Sequence, residues 1–201
     1  MENLLPERRI AERTMIQTGA AVRHFSRWHA AAVIVALVGL AGSLYLSVGM
    51  GLKACPLCFY QRSFVMAIVA ILVVGWPLDP RPSGLLCALA LPLAAAGLGV
   101  ALFHVYLELT GKLECPGGVL GVGSAPQQSL AVFAVLLVIL VSGTLSERAE
   151  GPLGLRIICG ATLLGAALSA ASIWSAPPLP AAPTNPYAEP LTICRPPYVI
   201  K

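Results

Sequence analysis

Cys55 and Cys58 lie in the stretch LKACPLCFYQR, positions 52–62, between two long apolar runs, and Arg62 follows four residues after the second sulfur. A C-x-x-C at the start of a helix places a thiol beside unpaired backbone N–H groups and the positive end of the helix dipole, which favours thiolate over thiol. Residues four apart share a helical face, so Arg62 adds positive charge near Cys58. An arginine at membrane depth costs roughly 2.5 kcal/mol or more, which marks it as a residue with a task. The chemistry open to such a pair is thiol–disulfide exchange, in which a thiolate attacks a disulfide and two electrons move through a mixed disulfide. Two other uses fit the same residues. One is a stapling disulfide with Arg62 reaching for headgroups; the other is half of a zinc or copper site completed by Cys115 and Cys194. Neither of those two cysteines has a second ligand near it in sequence, so no metal is expected.

The surroundings of this pair are set by composition. Of 201 residues, 57% are hydrophobic and only 11% charged, and the mean hydropathy is +0.81, which excludes a water-soluble surface. A hydrocarbon core of about 30 Å takes roughly 20 apolar residues per helix. The chain offers runs at 30–52, 63–78 (with a helix start expected near Cys58), 85–107, 129–145 and 157–176. The fold class expected is therefore all-α, a polytopic membrane helical bundle with a four-helix core and a fifth transmembrane helix. Pro92 is a candidate kink in the third span, and Gly97, Gly99 and Ala101 permit close helix contact there. The tail from residue 177 is too proline-dense to be helical throughout and reads as an extended strap delivering Cys194. The domain limits are a cytoplasmic arm at 1–28, the four-helix core at 29–146, a hinge with the fifth span at 147–176 and an external tail at 177–201.

Lys and Arg collect on the cytoplasmic side of membrane proteins. With the N-terminus inside, Arg8, Arg9, Arg13, Arg23, Arg27, Arg81, Arg148 and Arg156 lie inside, against Lys53, Arg62, Lys112, Arg195 and Lys201 outside. Five spans then carry the tail to the outer face. Of the six cysteines, Cys55, Cys58, Cys115 and Cys194 fall on that oxidising face, an even number that permits two disulfides. Cys87 and Cys159 read as small buried hydrophobes, and His24 and His29 as interfacial polar residues. The first run, with its long polar arm, reads as an uncleaved signal anchor. The basic residues are accounted for by topology, so no nucleic-acid partner is expected. GGVLGVG at 117–123 reads as a flexible loop that carries Cys115.

CPLCFYQR after a first span, with a further cysteine between spans three and four, resembles the DsbB family of membrane disulfide-bond formation proteins over roughly residues 30–146. That resemblance implies a four-helix bundle in the cell inner membrane. Such a protein oxidises a DsbA-like thioredoxin-fold partner and passes the electrons to a quinone, ubiquinone or menaquinone. It implies that Cys55 and Cys58 are the quinone-proximal pair, with Cys58 facing the quinone and Arg62 beside the ring. His104, in FHVYLEL, matches a family histidine near the quinone. Read from its residues alone, His104 is equally an interfacial histidine bonded to a backbone carbonyl, and Glu108, one turn on, is placed to orient it.

One feature departs from that family. Its second cysteine pair lies wholly in the loop between spans three and four, whereas here that loop holds only Cys115, and the other external cysteine is Cys194 beyond an extra span. A pair split between loop and tail is favoured, because an extended chain rising about 3.1 Å per residue can reach across a bundle. Cys115 then meets the partner and Cys194 exchanges with Cys55. A vitamin K epoxide reductase type of enzyme is disfavoured by the position of the pair directly after span one. A non-catalytic membrane subunit with structural disulfides is the alternative from another class.

Overall fold

The computed structural model describes residues 27–78, 84–148, 152–178 and 191–197. The arm at 1–26, the connector holding Arg81, the hinge at 149–151 and most of the tail lie outside the described residues, as do the expectations placed on them. The described chain is all-helical, with α1 at Arg27–Val48, α2 at Pro56–Leu78, α3 at Gly84–Leu109, α4 at Ala125–Arg148 and α5 at Pro152–Trp174. All five are long and apolar enough to cross a membrane. A single 3-10 turn, Val119–Gly121, lies in the loop between α3 and α4.

The central element is α3, half of whose apolar window is buried, against 11–28% for the other four helices. It packs along α4, α5 and α2, while α1 packs on α4 and α2. Its glycines make this possible. A Cβ at Gly97 would lie 2.1 Å from the Phe133 ring of α4, and one at Gly99 would lie 2.4 Å from Ser169 Oγ of α5. The fifth helix returns the favour at Gly165, where a Cβ would lie 2.7 Å from the Pro92 carbonyl oxygen. Pro92 sits inside α3 without ending it, since neighbouring helices cover the chain there. Cys87 is buried against Gly143 of α4, as expected of a small hydrophobe; Cys159 is exposed on the outer face of α5 instead. His29, in the first turn of α1, is buried against the bundle.

Capping sets the helix ends that face the site: α2 and α4 start earlier than the apolar runs alone suggest, and α3 continues past its run to Leu109. α2 begins at Pro56 because Cys55 is its N-cap: the Cys55 carbonyl accepts from Phe59 N at 2.9 Å and its sulfur from Cys58 N at 3.3 Å. Pro56 occupies the first helical position, where its missing N–H costs nothing. α4 begins at Ala125, four residues before the apolar run, because Ser124 and Gln127 form a reciprocal capping box. α3 ends in a Schellman turn at Gly111 (φ 67°), with Lys112 N donating to Leu107 O and Gly111 N to Glu108 O. These three caps lie at one end of the bundle, which is also where α5 ends.

Candidate functional site

At that end the tail segment 191–197 crosses between two loops and is held by backbone hydrogen bonds to both. Lys53 N donates to Thr192 O at 2.8 Å, and Glu114 and Arg195 form an antiparallel bridge with exchanged bonds of 2.8 and 3.1 Å. The strap thereby sets Cys194, which is buried, beside Cys115, and the two are joined as a disulfide across 79 residues. The split pair favoured from the sequence is thus formed. The loop carrying Cys115 is not the free segment expected. Gln128 reaches back from α4 to bond Val119 N, Val119 O and Val122 O, at 2.9, 3.0 and 2.8 Å.

Cys55 and Cys58 are both free thiols, with sulfurs 2.9 Å apart. Between the two pairs stands His104, fully buried near the end of α3. Its Nε2 is 3.4 Å from Cys115 Sγ and 3.8 Å from Cys55 Sγ. The sulfurs of Cys55, Cys58 and Cys194 and a ring nitrogen of His104 all lie within 4.8 Å of one another. Glu108 does not orient this histidine; its carboxylate accepts from Ser124 Oγ at 2.7 Å, and His104 Nδ1 has no hydrogen-bond partner among the described residues. Valine, leucine and phenylalanine side chains enclose the cluster, among them Leu57, Val100 and Phe103.

Electrostatics divide the two thiols. Cys55, in the loop just before α2, is lowered from 9.0 to about 5, first by the hydrogen bond from the Cys58 side chain. Burial opposes this, and the hydrogen bond and charge of His104 reinforce it. The thiolate therefore belongs on Cys55, the N-cap sulfur, where backbone N–H groups already point.

Cys58 faces the other way, into a cavity of about 310 Å³ between α1, α2 and α4. Gly39, Gly42, Ser43, Leu46 and Ser47 supply its α1 wall, Gln61, Arg62 and Val65 its α2 wall, and Gln128, Val132 and Phe133 its α4 wall. Arg62, nearly two turns into α2, is held by α1: Nε donates to Ser43 Oγ at 3.0 Å, and Nη2 donates to Ser43 O at 2.9 Å and Ser47 Oγ at 2.5 Å. Gln61 is buried on the same wall, and its amide nitrogen has no partner among the described residues. His104 is not part of this wall; it lies behind, among the sulfurs.

Sequence reasoning singled out Cys55, Cys58, Cys115, Cys194, Arg62 and His104, and the fold brings all six to one end. It missed Ser43, Ser47, Gln61 and Gln128. The serines carry a readable signal, two hydroxyls four apart in an apolar span and hence on one face.

A family model described as "Disulfide bond formation protein DsbB" matches residues 25–127. A "Probable disulfide formation protein" of Chlamydia muridarum is 30% identical over 124 residues, covering 57% of this chain and 90% of the relative. Its namesake in Chlamydia trachomatis serovar D is 30% identical over 120 residues, covering 55% and 87%. "Disulfide bond formation protein B" of Burkholderia thailandensis is 35% identical over 83 residues, covering 41% and 49%. No solved structure matches the chain.

Proposed function

This chain belongs to the DsbB family of disulfide bond formation proteins, and from that membership we propose that it reoxidises a DsbA-like thioredoxin-fold protein outside the cytoplasm and delivers the electrons to a membrane quinone. The observation that carries the proposal is the convergence of two cysteine pairs on one buried histidine, with one pair bordering an apolar cavity. The chain would sit in the inner membrane with its N-terminus inside and the sulfur end outside.

The sulfur chemistry balances without any added reagent. The partner's dithiol attacks the Cys115–Cys194 disulfide at Cys115, which leaves Cys194 as thiolate. The second partner thiol then displaces Cys115, so the partner departs oxidised and this pair is reduced. Cys194 next attacks Cys55 of an oxidised Cys55–Cys58 pair and releases Cys58 as thiolate, and Cys115 displaces Cys55 from Cys194. The Cys115–Cys194 bond is restored, and two electrons now rest on Cys55 and Cys58. The structure has this distribution of bonds, with the loop–tail pair joined and the helix pair open. An acidic Cys55 is a good leaving group in the last displacement.

The cavity fits a quinone by its size and by its orphaned polar atom. About 310 Å³ lies at the lower end of small-ligand sites. The buried Gln61 amide nitrogen has no partner among the described residues, which suits an acceptor on a bound molecule. Gln61 and Arg62 would hold the polar head, with Cys58 on the same wall. A quinone bound there supplies a two-electron, two-proton acceptor dissolved in the bilayer. Arg62 keeps a fixed positive charge in a low-dielectric wall, and Val65, Val132 and Phe133 exclude water.

The test is quinone-dependent oxidation of a reduced thioredoxin-fold protein by the chain in proteoliposomes. Cys58→Ser and Cys194→Ser should each abolish turnover. Unchanged rates in Cys55→Ser or Cys58→Ser would instead leave a membrane subunit with structural disulfides.

A further inference from the structure

We propose that the fully reduced protein binds one Zn²⁺ through the sulfurs of Cys55, Cys58 and Cys194 and the Nε2 of His104. Two of its ligands, Cys58 and Cys194, also border the cavity, but the site does not depend on the oxidase reading.

The donor set differs from the four-thiolate site that the cysteines alone suggest, because the fold puts a histidine of α3 where Cys115 would stand. Zinc takes four ligands in a tetrahedron, with Zn–S near 2.3 Å and Zn–N near 2.0–2.1 Å, so neighbouring donors stand roughly 3.8 Å apart. Here Cys55 and Cys58 are 2.9 Å apart and Cys55 and His104 3.8 Å, and no two of the four donors are separated by more than 4.8 Å. Shifts of about an ångström complete the polyhedron. Three donors come from preformed elements: the N-cap and first turn of α2, and the end of α3. The fourth comes from the strap, which backbone bonds at Lys53 and Glu114 hold in place without help from the disulfide.

Burial suits a closed site. Cys55 and His104 are fully buried and Cys194 nearly so, while Cys58 is half-buried at the cavity edge, so three of the four donors are closed to water. His104 offers Nε2 to the sulfurs while Nδ1 has no partner among the described residues, so the ring is free to take the tautomer that metallation of Nε2 requires. Thiolate and imidazole donors select zinc over magnesium or calcium.

Access is gated by redox state. While Cys194 is bonded to Cys115 it offers no thiolate, and a Cys55–Cys58 disulfide removes the other two sulfur donors. Opening the Cys115–Cys194 bond takes two electrons from a dithiol or a phosphine. Binding itself moves no electrons: thiol protons are released to solvent and four metal–ligand bonds form. Zinc therefore holds the reduced state and withdraws Cys55 and Cys194 from exchange.

The experiment uses the full chain in nanodiscs, with Cys87→Ser and Cys159→Ser to remove unrelated thiols. Protein reduced with a phosphine, and separately protein oxidised at both pairs, is titrated with Zn²⁺ against a chromophoric chelator and with Co²⁺ for the spectrum. Reduced protein should bind one equivalent, give the intense charge-transfer and tetrahedral ligand-field bands of thiolate-bound Co²⁺, and leave one thiol, Cys115, open to a maleimide tag. Oxidised protein should bind at least a hundredfold more weakly. His104→Ala and Cys194→Ser should each weaken binding tenfold or more with helicity retained; His104→Gln serves if the alanine variant loses helicity. Equal binding in both redox states, an octahedral Co²⁺ spectrum, or unaltered affinity in both the His104 and Cys194 variants would overturn the proposal. Since no partner or electron acceptor is present, a failed oxidase assay leaves this result standing, and absent zinc binding leaves the oxidase reading standing.

Discussion

Replacing Cys58 with alanine should turn Cys55 from an acidic thiol into an ordinary one. The Cys58 side chain is the largest influence holding Cys55 at about 5, ahead of His104, and burial works against both. A thiol of that acidity is about 99% thiolate at pH 7, whereas one near 8.5 is about 3% ionised. Removing Cys58 should therefore cut the neutral-pH thiolate population at Cys55 by up to about thirtyfold, with His104 retaining part of the effect. The sign of the accompanying stability change follows from the direction of the shift. Because the folded value lies below the unfolded one, ionised Cys55 stabilises the reduced fold fully above about pH 9, and this contribution declines as pH falls and is gone below about 5. The assay is ultraviolet thiolate absorbance of reduced protein against pH, with the Cys55→Ser variant subtracted, in a background lacking Cys87 and Cys159. The parent should titrate near 5 and Cys58→Ala well above it. A parent midpoint near 8.5, or an unmoved midpoint in Cys58→Ala, would refute the reasoning.

Arg62→Met should raise the KM for a water-soluble quinone analogue about tenfold or more, because one charge-assisted hydrogen bond is worth about 1.5–3 kcal/mol and three position this guanidinium; Ser43→Ala with Ser47→Ala should give a smaller rise. Gly42→Leu should fill the cavity and abolish quinone-dependent turnover, while leaving single-turnover exchange of the Cys115–Cys194 bond with a partner dithiol intact, as read by quenched mass tagging. Gly97→Val should separate α3 from α4, since even its Cβ meets the Phe133 ring at 2.1 Å. An overpacking cost of about 1–3 kcal/mol is expected, seen as a lowered Tm in detergent.

The helices were legible because each is a long uncharged run, and the Cys55–Cys58 pair stood out because a C-x-x-C at such a boundary has few uses. The helix starts were less so, since they depend on caps: Cys55 as an N-cap sulfur and the Ser124–Gln127 box extend α2 and α4 beyond their apolar runs. The cavity was not visible at all. It is bordered by small residues on α1, Gly39 packed close against Val132 of α4 and Gly42 in more open space, an arrangement that no linear pattern encodes. His104 was found as a residue of interest, but its position among the sulfurs depends on where α3 ends and where the strap crosses, both set by tertiary contacts.

The strap also changes how the reaction should be thought of kinetically. When the Cys115–Cys194 bond opens, Cys194 is not released into solvent, because the bonds from Lys53 to Thr192 and between Glu114 and Arg195 are made by backbone atoms that take no part in the exchange. In the proposed relay the sulfur would act as a tethered reactant at high effective concentration toward Cys55, where well-oriented intramolecular reactions reach about 10⁵ M or more. A small soluble thiol at millimolar concentration cannot compete with a neighbour so placed. Two short backbone contacts thus give the tail a preference for its internal partner that reduction potentials alone would not provide.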